Sequence, residues 1–103
     1  MYRHRIRHQI LYGKYREYME IAKPLVDLAR ERGLPVPTLL APMVGTGNEV
    51  IWETEYPDLA TFQRDNDTFY ADDEVMKRWL KLWEYVAQGS VQDELLQEAP
   101  HIA

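Results

Sequence analysis

From Tyr2 to Leu11 the chain alternates without a break: Tyr2, His4, Ile6, His8 and Ile10 leave one side, and Arg3, Arg5, Arg7, Gln9 and Leu11 leave the other. Successive side chains of a strand point to opposite faces, so the stretch reads as a strand. A helix over the same residues lines up only Tyr2, Ile6 and Ile10, with Arg5 and Gln9 intruding at the three-residue steps. Such a strand belongs in a sheet whose two sides differ. One side packs on helices, and the other must answer a row of guanidinium groups.

At Gly13 the period changes. Tyr15, Tyr18, Met19, Ala22, Leu25, Val26 and Ala29 recur at three- and four-residue steps, which predicts an amphipathic helix. Arg30 and Arg32 ahead of Gly33 mark its end. Pro24 lies off the apolar stripe, so a bend with Pro24 on the solvent side is expected. Thr38 to Val44 reads as a second strand, and Pro42 argues for an edge position. Gly45-Thr46-Gly47-Asn48 is a turn by composition. A third strand, Glu49 to Tyr56, follows at once, with Val50, Trp52, Thr54 and Tyr56 on one face and Glu49, Ile51, Glu53 and Glu55 on the other. Asp58 reads as an N-cap and Asp72-Asp73 as a fresh one. They predict a shorter helix, a break near residues 69–72, and a longer helix ending at Gly89 with the stripe Val75, Met76, Trp79, Leu82, Trp83 and Val86. Val91 to Ala99 reads as a last strand, weak in pattern and closed by Pro100.

The order is β-α-β-β-α-β, which predicts a ferredoxin-like α+β domain with a four-stranded antiparallel sheet, its first and third strands adjacent. Residues 1–100 form the domain and 101–103 a tail. The arginine face then meets the glutamate face of the third strand, and Glu53 is the expected partner of Arg7. Ile51, Leu39 or Leu40, and Leu95 or Leu96 join that face and leave it half apolar. A second copy is expected to cover it, pairing two sheets as a dimeric α+β barrel.

Composition limits the function classes. The chain has 103 residues, 17 acids against 12 Lys/Arg, and no cysteine. A disulfide scaffold, a thiolate metal site and a cysteine nucleophile are excluded. Residues 1–35 hold eight Lys/Arg and four acids, whereas residues 36–103 hold four and thirteen. The basic residues alternate with apolar ones instead of forming a run, so the two halves are read as neutralising each other, and nucleic-acid binding is disfavoured. No apolar run approaches the roughly 18 residues of a membrane helix, and the N-terminus has no apolar signal core. A cytoplasmic protein is expected. His4 and His8 stand about 13 Å apart along one strand face and cannot share an ion, while His101 falls in the tail. Neither a metal nor a cofactor is expected. No phosphate loop, Ser-His-Asp set or nucleophile elbow occurs. Trp79, Trp83 and Tyr85 read as core or dimer contact before they read as a ligand box.

The stretch Asn-Glu-Val-Ile-Trp-Glu-Thr-Glu-Tyr-Pro-Asp-Leu (Asn48 to Leu59) resembles the NIPSNAP-type pattern of a turn, a hydrophobic strand and a helix start. Arg-Ile-Arg-His-Gln-Ile-Leu-Tyr-Gly-Lys (Arg5 to Lys14) is similar to that family's first strand, with Arg7 at its recurrent arginine and Gly13-Lys14 at its Gly-Lys turn. Asp72-Asp73 followed by Trp79 looks like its second-helix region. Thr54 stands where an aromatic is usual, and Glu53 and Glu55 where apolar residues are common. The resemblance implies a dimeric α+β-barrel protein. Asn48 and Trp52 also resemble the asparagine and tryptophan used by some cofactor-independent monooxygenases of that superfamily.

The candidate ligand-binding residues are Arg5, Arg7, Asn48, Trp52 and Glu53; no catalytic residue is assigned, and enzymatic activity stays open. The first functional reading is a homodimeric barrel protein that binds a small organic molecule in or near the barrel. A cofactor-independent monooxygenase acting on an aromatic polyketide or quinone-like substrate is the alternative. A structural or interaction domain with a filled barrel is the third.

Overall fold

A computed structural model describes residues 1–99. Strand β1 (Tyr2–Gln9) lies at the centre of the sheet. It pairs antiparallel with β3 (Glu49–Tyr56), from Tyr2 opposite Tyr56 to Gln9 opposite Glu49. Its other edge holds β4 (Gln92–Gln97), and β2 (Thr38–Leu40) lies beyond β3, so the order is β2-β3-β1-β4. Helix α1 (Tyr15–Glu31) forms the first crossover; α2 (Leu59–Ala71) and α3 (Asp73–Leu82) share the second. The β-α-β-β-α-β reading therefore holds, with its last helix divided.

The core follows strand parity. Ile10, Val50 and Trp52 from the sheet meet Tyr18, Ala22, Leu25 and Leu28 of α1 and Val75, Trp79 and Leu82 of α3. Burying an aliphatic or aromatic side chain of this kind stabilises by about 1.5–3 kcal/mol before entropy is counted. The α1 stripe is shifted from the expected one: Leu28 is buried, whereas Tyr15 is 48% exposed at the first turn.

Several boundaries move for identifiable reasons. β1 stops at Gln9, and Ile10 makes a lone bridge to Val86, because the chain after α3 returns there and captures the Leu11 amide on the Tyr85 carbonyl at 2.9 Å. β2 ends at Leu40, two residues before Pro42, and Met43 and Val44 are almost fully exposed in a loop. The edge placement of β2 is as expected. Helix α2 has 13 residues and α3 only 10, the reverse of the expected lengths. No glycine or proline interrupts the polar stretch of α2, so it continues to Ala71. α3 must give way to a tight helical turn at Trp83–Tyr85 so that Val86 can reach Ile10. Both aspartate caps form: Asp58 accepts the Thr61 amide at 2.7 Å, and Asp72 accepts that of Val75 at 3.1 Å. Val75's amide first, and Arg32 second, hold the Asp72 carboxyl below the usual range. Arg32 reaches Asp72 at 2.8 Å and Glu74 at 2.6 Å, tying the end of α1 to the start of α3. Pro100 and the expected tail lie outside the described residues.

Pro24 is the other correction. α1 runs through it unbroken, and Pro24 is half-buried instead of facing solvent. The donor it lacks would serve the carbonyl of Glu20, an exposed residue where water can substitute. Proline in a helix interior costs about 3 kcal/mol relative to alanine, offset in part by the freedom it removes from the unfolded chain. Pro24→Ala is therefore expected to raise stability by about 1–2 kcal/mol in urea denaturation; unchanged or lowered stability would show that the ring's packing outweighs the lost donor.

Candidate functional site

The face of the sheet turned away from the helices carries a charge ladder. Arg5 lies opposite Glu53, and its Nε donates to that carboxylate at 2.5 Å. Arg7 lies opposite Ile51 on β3, so its carboxylates are the diagonal ones: Nε donates to Glu94 at 2.9 Å and Nη1 to Glu49 at 3.2 Å. Glu53 is thus the partner of Arg5 and not of Arg7, because pairing register, and not face membership alone, decides which side chains touch. Hydrogen bonding to Glu94 leads the effects that raise the Arg7 pKa above its ordinary value. Arg3 meets Glu55 at 3.6 Å. Leu40 and Leu96 are the leucines on this face, since they pair with Ile51 and Arg3; Leu39 and Leu95 turn to the helix side opposite Trp52 and His4.

On the helix side, a buried hydrogen-bond chain joins strand to helix. Trp52 Nε1 donates to the Tyr18 hydroxyl oxygen at 2.6 Å, and that hydroxyl lies 2.7 Å from His8 Nδ1. With its oxygen accepting from Trp52, Tyr18 donates its proton to His8, which places the imidazole proton on Nε2. Nε2 has no hydrogen-bond partner among the described residues. The ring instead sits between Trp79 and Trp83, with centroids at 5.2 and 5.8 Å. His8 and Tyr18 are both 0% exposed. Burial lowers the His8 pKa to about 4 and drives that of Tyr18 upward. Both groups are neutral at pH 7.

Beside this chain the sheet and helices border a partly open pocket of about 90 Å³. Trp52, Tyr56, Phe69, Tyr70 and Trp79 supply aromatic walls. The rings meet edge to face: Trp52 to Trp79 at 5.3 Å and 90°, and Phe69 to Trp79 at 5.7 Å and 85°. Ile6, Leu25 and Ala29 add aliphatic surface, while His4, Thr54, Asp65 and Asn66 bring polar atoms. His4 Nε2 is engaged with Asp93 Oδ1 at 2.5 Å, and its ring stands edge-on to Phe62 at 5.1 Å.

The five residues singled out from the sequence are not brought together. Trp52 lies in the pocket wall. Arg5, Arg7 and Glu53 lie on the opposite face of the sheet. Asn48 is exposed at the turn before β3, with φ of 56°, and its carbonyl accepts the Ile10 amide at 2.6 Å. Sequence reasoning missed Asp65, Asn66, Phe69 and Tyr70, which one stretch of α2 contributes. A pair of aromatics just before the helix break at Asp72 was the available signal. His8 and Tyr18 were also legible as polar atoms on apolar stripes, where buried groups must find partners. His8 was read only as a failed metal ligand.

The geometry defines a class first: a ferredoxin-like α+β sandwich with a pocket between its layers. No protein-family model matches the chain, and no curated protein sequence matches it. Solved structures do. A NIPSNAP family protein from Agrobacterium tumefaciens shares the fold with a TM-score of 0.78 at 16% identity, covering 95% of this chain and 92% of its own. An uncharacterised NIPSNAP domain protein from Burkholderia xenovorans gives 0.75 at 16% identity, covering 100% and 99%. An antibiotic biosynthesis monooxygenase gives 0.74 at 14% identity, covering 97% and 100%. The fold is therefore shared with NIPSNAP proteins and with an antibiotic biosynthesis monooxygenase, in keeping with the resemblance of Arg5–Lys14 and Asn48–Leu59. No helix among the described residues is long and apolar enough to cross a membrane.

The neutral, buried His8 sets a pH dependence. Its folded pKa lies below its unfolded value of 6.5, so the unfolded chain binds the extra proton first as pH falls. His8's contribution is fully present above pH 6.5 and is lost as pH drops from there toward 4. It amounts to about 3 kcal/mol over that window. Urea melts at pH 7 and 4.5 should show the loss in the wild type, and His8→Gln, which keeps an acceptor for Tyr18, should flatten it. Equal slopes in the two proteins would assign the proton uptake elsewhere.

Proposed function

We propose that the chain is a small-molecule-binding protein whose ligand occupies the aromatic pocket between sheet and helices, and that it works as a homodimer. The observation that carries the first part is the pocket itself: apolar and aromatic on most sides, with a few polar atoms at His4, Thr54, Asp65 and Asn66. Sites for organic ligands have this make-up. Its volume, about 90 Å³, suits a group no larger than a single ring. The barrel side offers less, because the guanidinium groups of Arg5 and Arg7 are already met by Glu53, Glu49 and Glu94. That ladder, flanked by Leu40 and Leu96 at 41% and 37% exposure, supports the second part as a self-complementary surface for another copy.

The monooxygenase alternative finds support only in Trp52, which stands in the pocket wall. Asn48 is four residues up the strand, roughly 13 Å away at 3.3 Å per residue. Binding, without an assigned reaction, is the function these contacts support.

Two experiments test the proposal. In ligand-observed NMR, the single-ring probes phenol and p-cresol are expected to bind the wild type. Ala29→Phe, which fills the pocket from α1, should abolish binding while leaving the circular dichroism spectrum unchanged. Binding that survives this substitution would place the ligand elsewhere. Sedimentation at micromolar concentration should give twice the 12.2 kDa chain mass, and the double change Leu40→Glu with Leu96→Glu should give a folded monomer. A wild-type monomer would remove the dimer and leave the pocket reading untouched.

A further inference from the structure

We propose that the pocket selects a small organic cation, an alkylammonium head on a short apolar body, over neutral and anionic molecules of the same shape. The inference rests on the pocket being the binding site and adds the chemical class of its ligand.

The lining contains one carboxylate, Asp65, and neither lysine nor arginine. Five of its side chains are aromatic, set at steep mutual angles. A ring's face is the negative end of its quadrupole, and a cation held against several such faces is stabilised without a direct ion pair. Asp65 adds a full negative charge at the same wall, with its side chain only 15% exposed. Its field reaches the pocket, since Asp65 joins burial in raising the pKa of the neighbouring Tyr56 phenol. Arg64 approaches Asp65 from outside, but through a single 3.4 Å contact and with 71% of its own side chain in solvent. Such a pairing is weak and yields readily to a better-placed cation. The imidazole in the lining, His4, has its Nε2 already engaged with Asp93. An anion finds no comparable donor. The arginines of β1 are all on the other face of the sheet, each beside a glutamate.

Three molecules of one shape test this on the full chain by calorimetry or NMR titration: choline, its neutral isostere 3,3-dimethylbutan-1-ol, and 3,3-dimethylbutanoate. Choline is expected to bind about tenfold more tightly than the alcohol, and the anion more weakly than either. Asp65→Asn should reduce the choline-to-alcohol ratio to about threefold, the share of the aromatic walls. Arg64→Ala removes a competitor on the surface and should move the ratio the opposite way, which keeps the test decisive if Asp65→Asn fails to fold. Equal affinities for choline and the alcohol, or tightest binding of the anion, would overturn the ligand class while the pocket reading stands. Absence of binding by all three, together with absence of binding by the aromatic probes, would overturn both.

Discussion

β1 is paired along both edges, to β3 on one side and β4 on the other, and its alternation sorts the chemistry of the entire chain. A slip of one residue would drive Arg3, Arg5 and Arg7 beneath the helices and turn His8 and Ile6 to the opposite face. The cost of burying three guanidinium groups without carboxylates is far larger than the net stability of a domain of this size. Register is therefore fixed by what it excludes. Once it is fixed, Glu49, Glu53 and Glu94 must supply the outer face, and Trp52 must lie against α1.

The ladder contributes more to this choice than to stability. Arg5 and Arg7 are near 30% exposed and Arg3 is 45% exposed, and pairs so open to water are worth little each. Their larger consequence is spatial. By collecting the cations of β1 on one side, strand parity leaves the helix-side pocket without a lysine or arginine, although residues 1–35 are net basic. The arginines that the sequence concentrates in β1 are thus gathered on one face, where glutamates from β3 and β4 meet them.

What the sequence made legible follows the same logic. β1 and β3 were readable almost to the residue, because the arginines of β1 and the glutamates of β3 fall only on alternate positions and admit one face assignment. β4 was harder: Leu95 and Leu96 are adjacent, so one had to face each way, and only pairing with His4 and Arg3 settles which. The helix break at Asp72 was readable from its cap, but the lengths on either side were not, since α2 buries none of its residues fully and so leaves no clear stripe. The site was the least legible part. Its walls come from β1, β3 and all three helices, and no sequence spacing links Ala29 to Asp65. Arg7's partner was misread for a related reason. A face can be inferred from parity alone, whereas a contact needs the offset between two strands.

The hydrogen-bond chain from Trp52 through Tyr18 to His8 connects the register to the pocket. An indole against a cavity can turn its N–H toward a ligand or toward the protein. Here Nε1 is consumed by Tyr18 at 2.6 Å, so Trp52 offers the pocket only ring surface. The polar atoms of the pocket wall are then those of His4, Thr54, Asp65 and Asn66. The pocket wall is thus divided, with indole surface at Trp52 and Trp79 and polar atoms at Asp65 and Asn66 of α2. The chain also explains why a histidine and a tyrosine are tolerated at the centre of the core. Each spends one polar group on the other, and the geometry they hold keeps Trp52 in place as a rigid wall. The same residues that look like defects in an apolar pattern are the ones that give the pocket its direction.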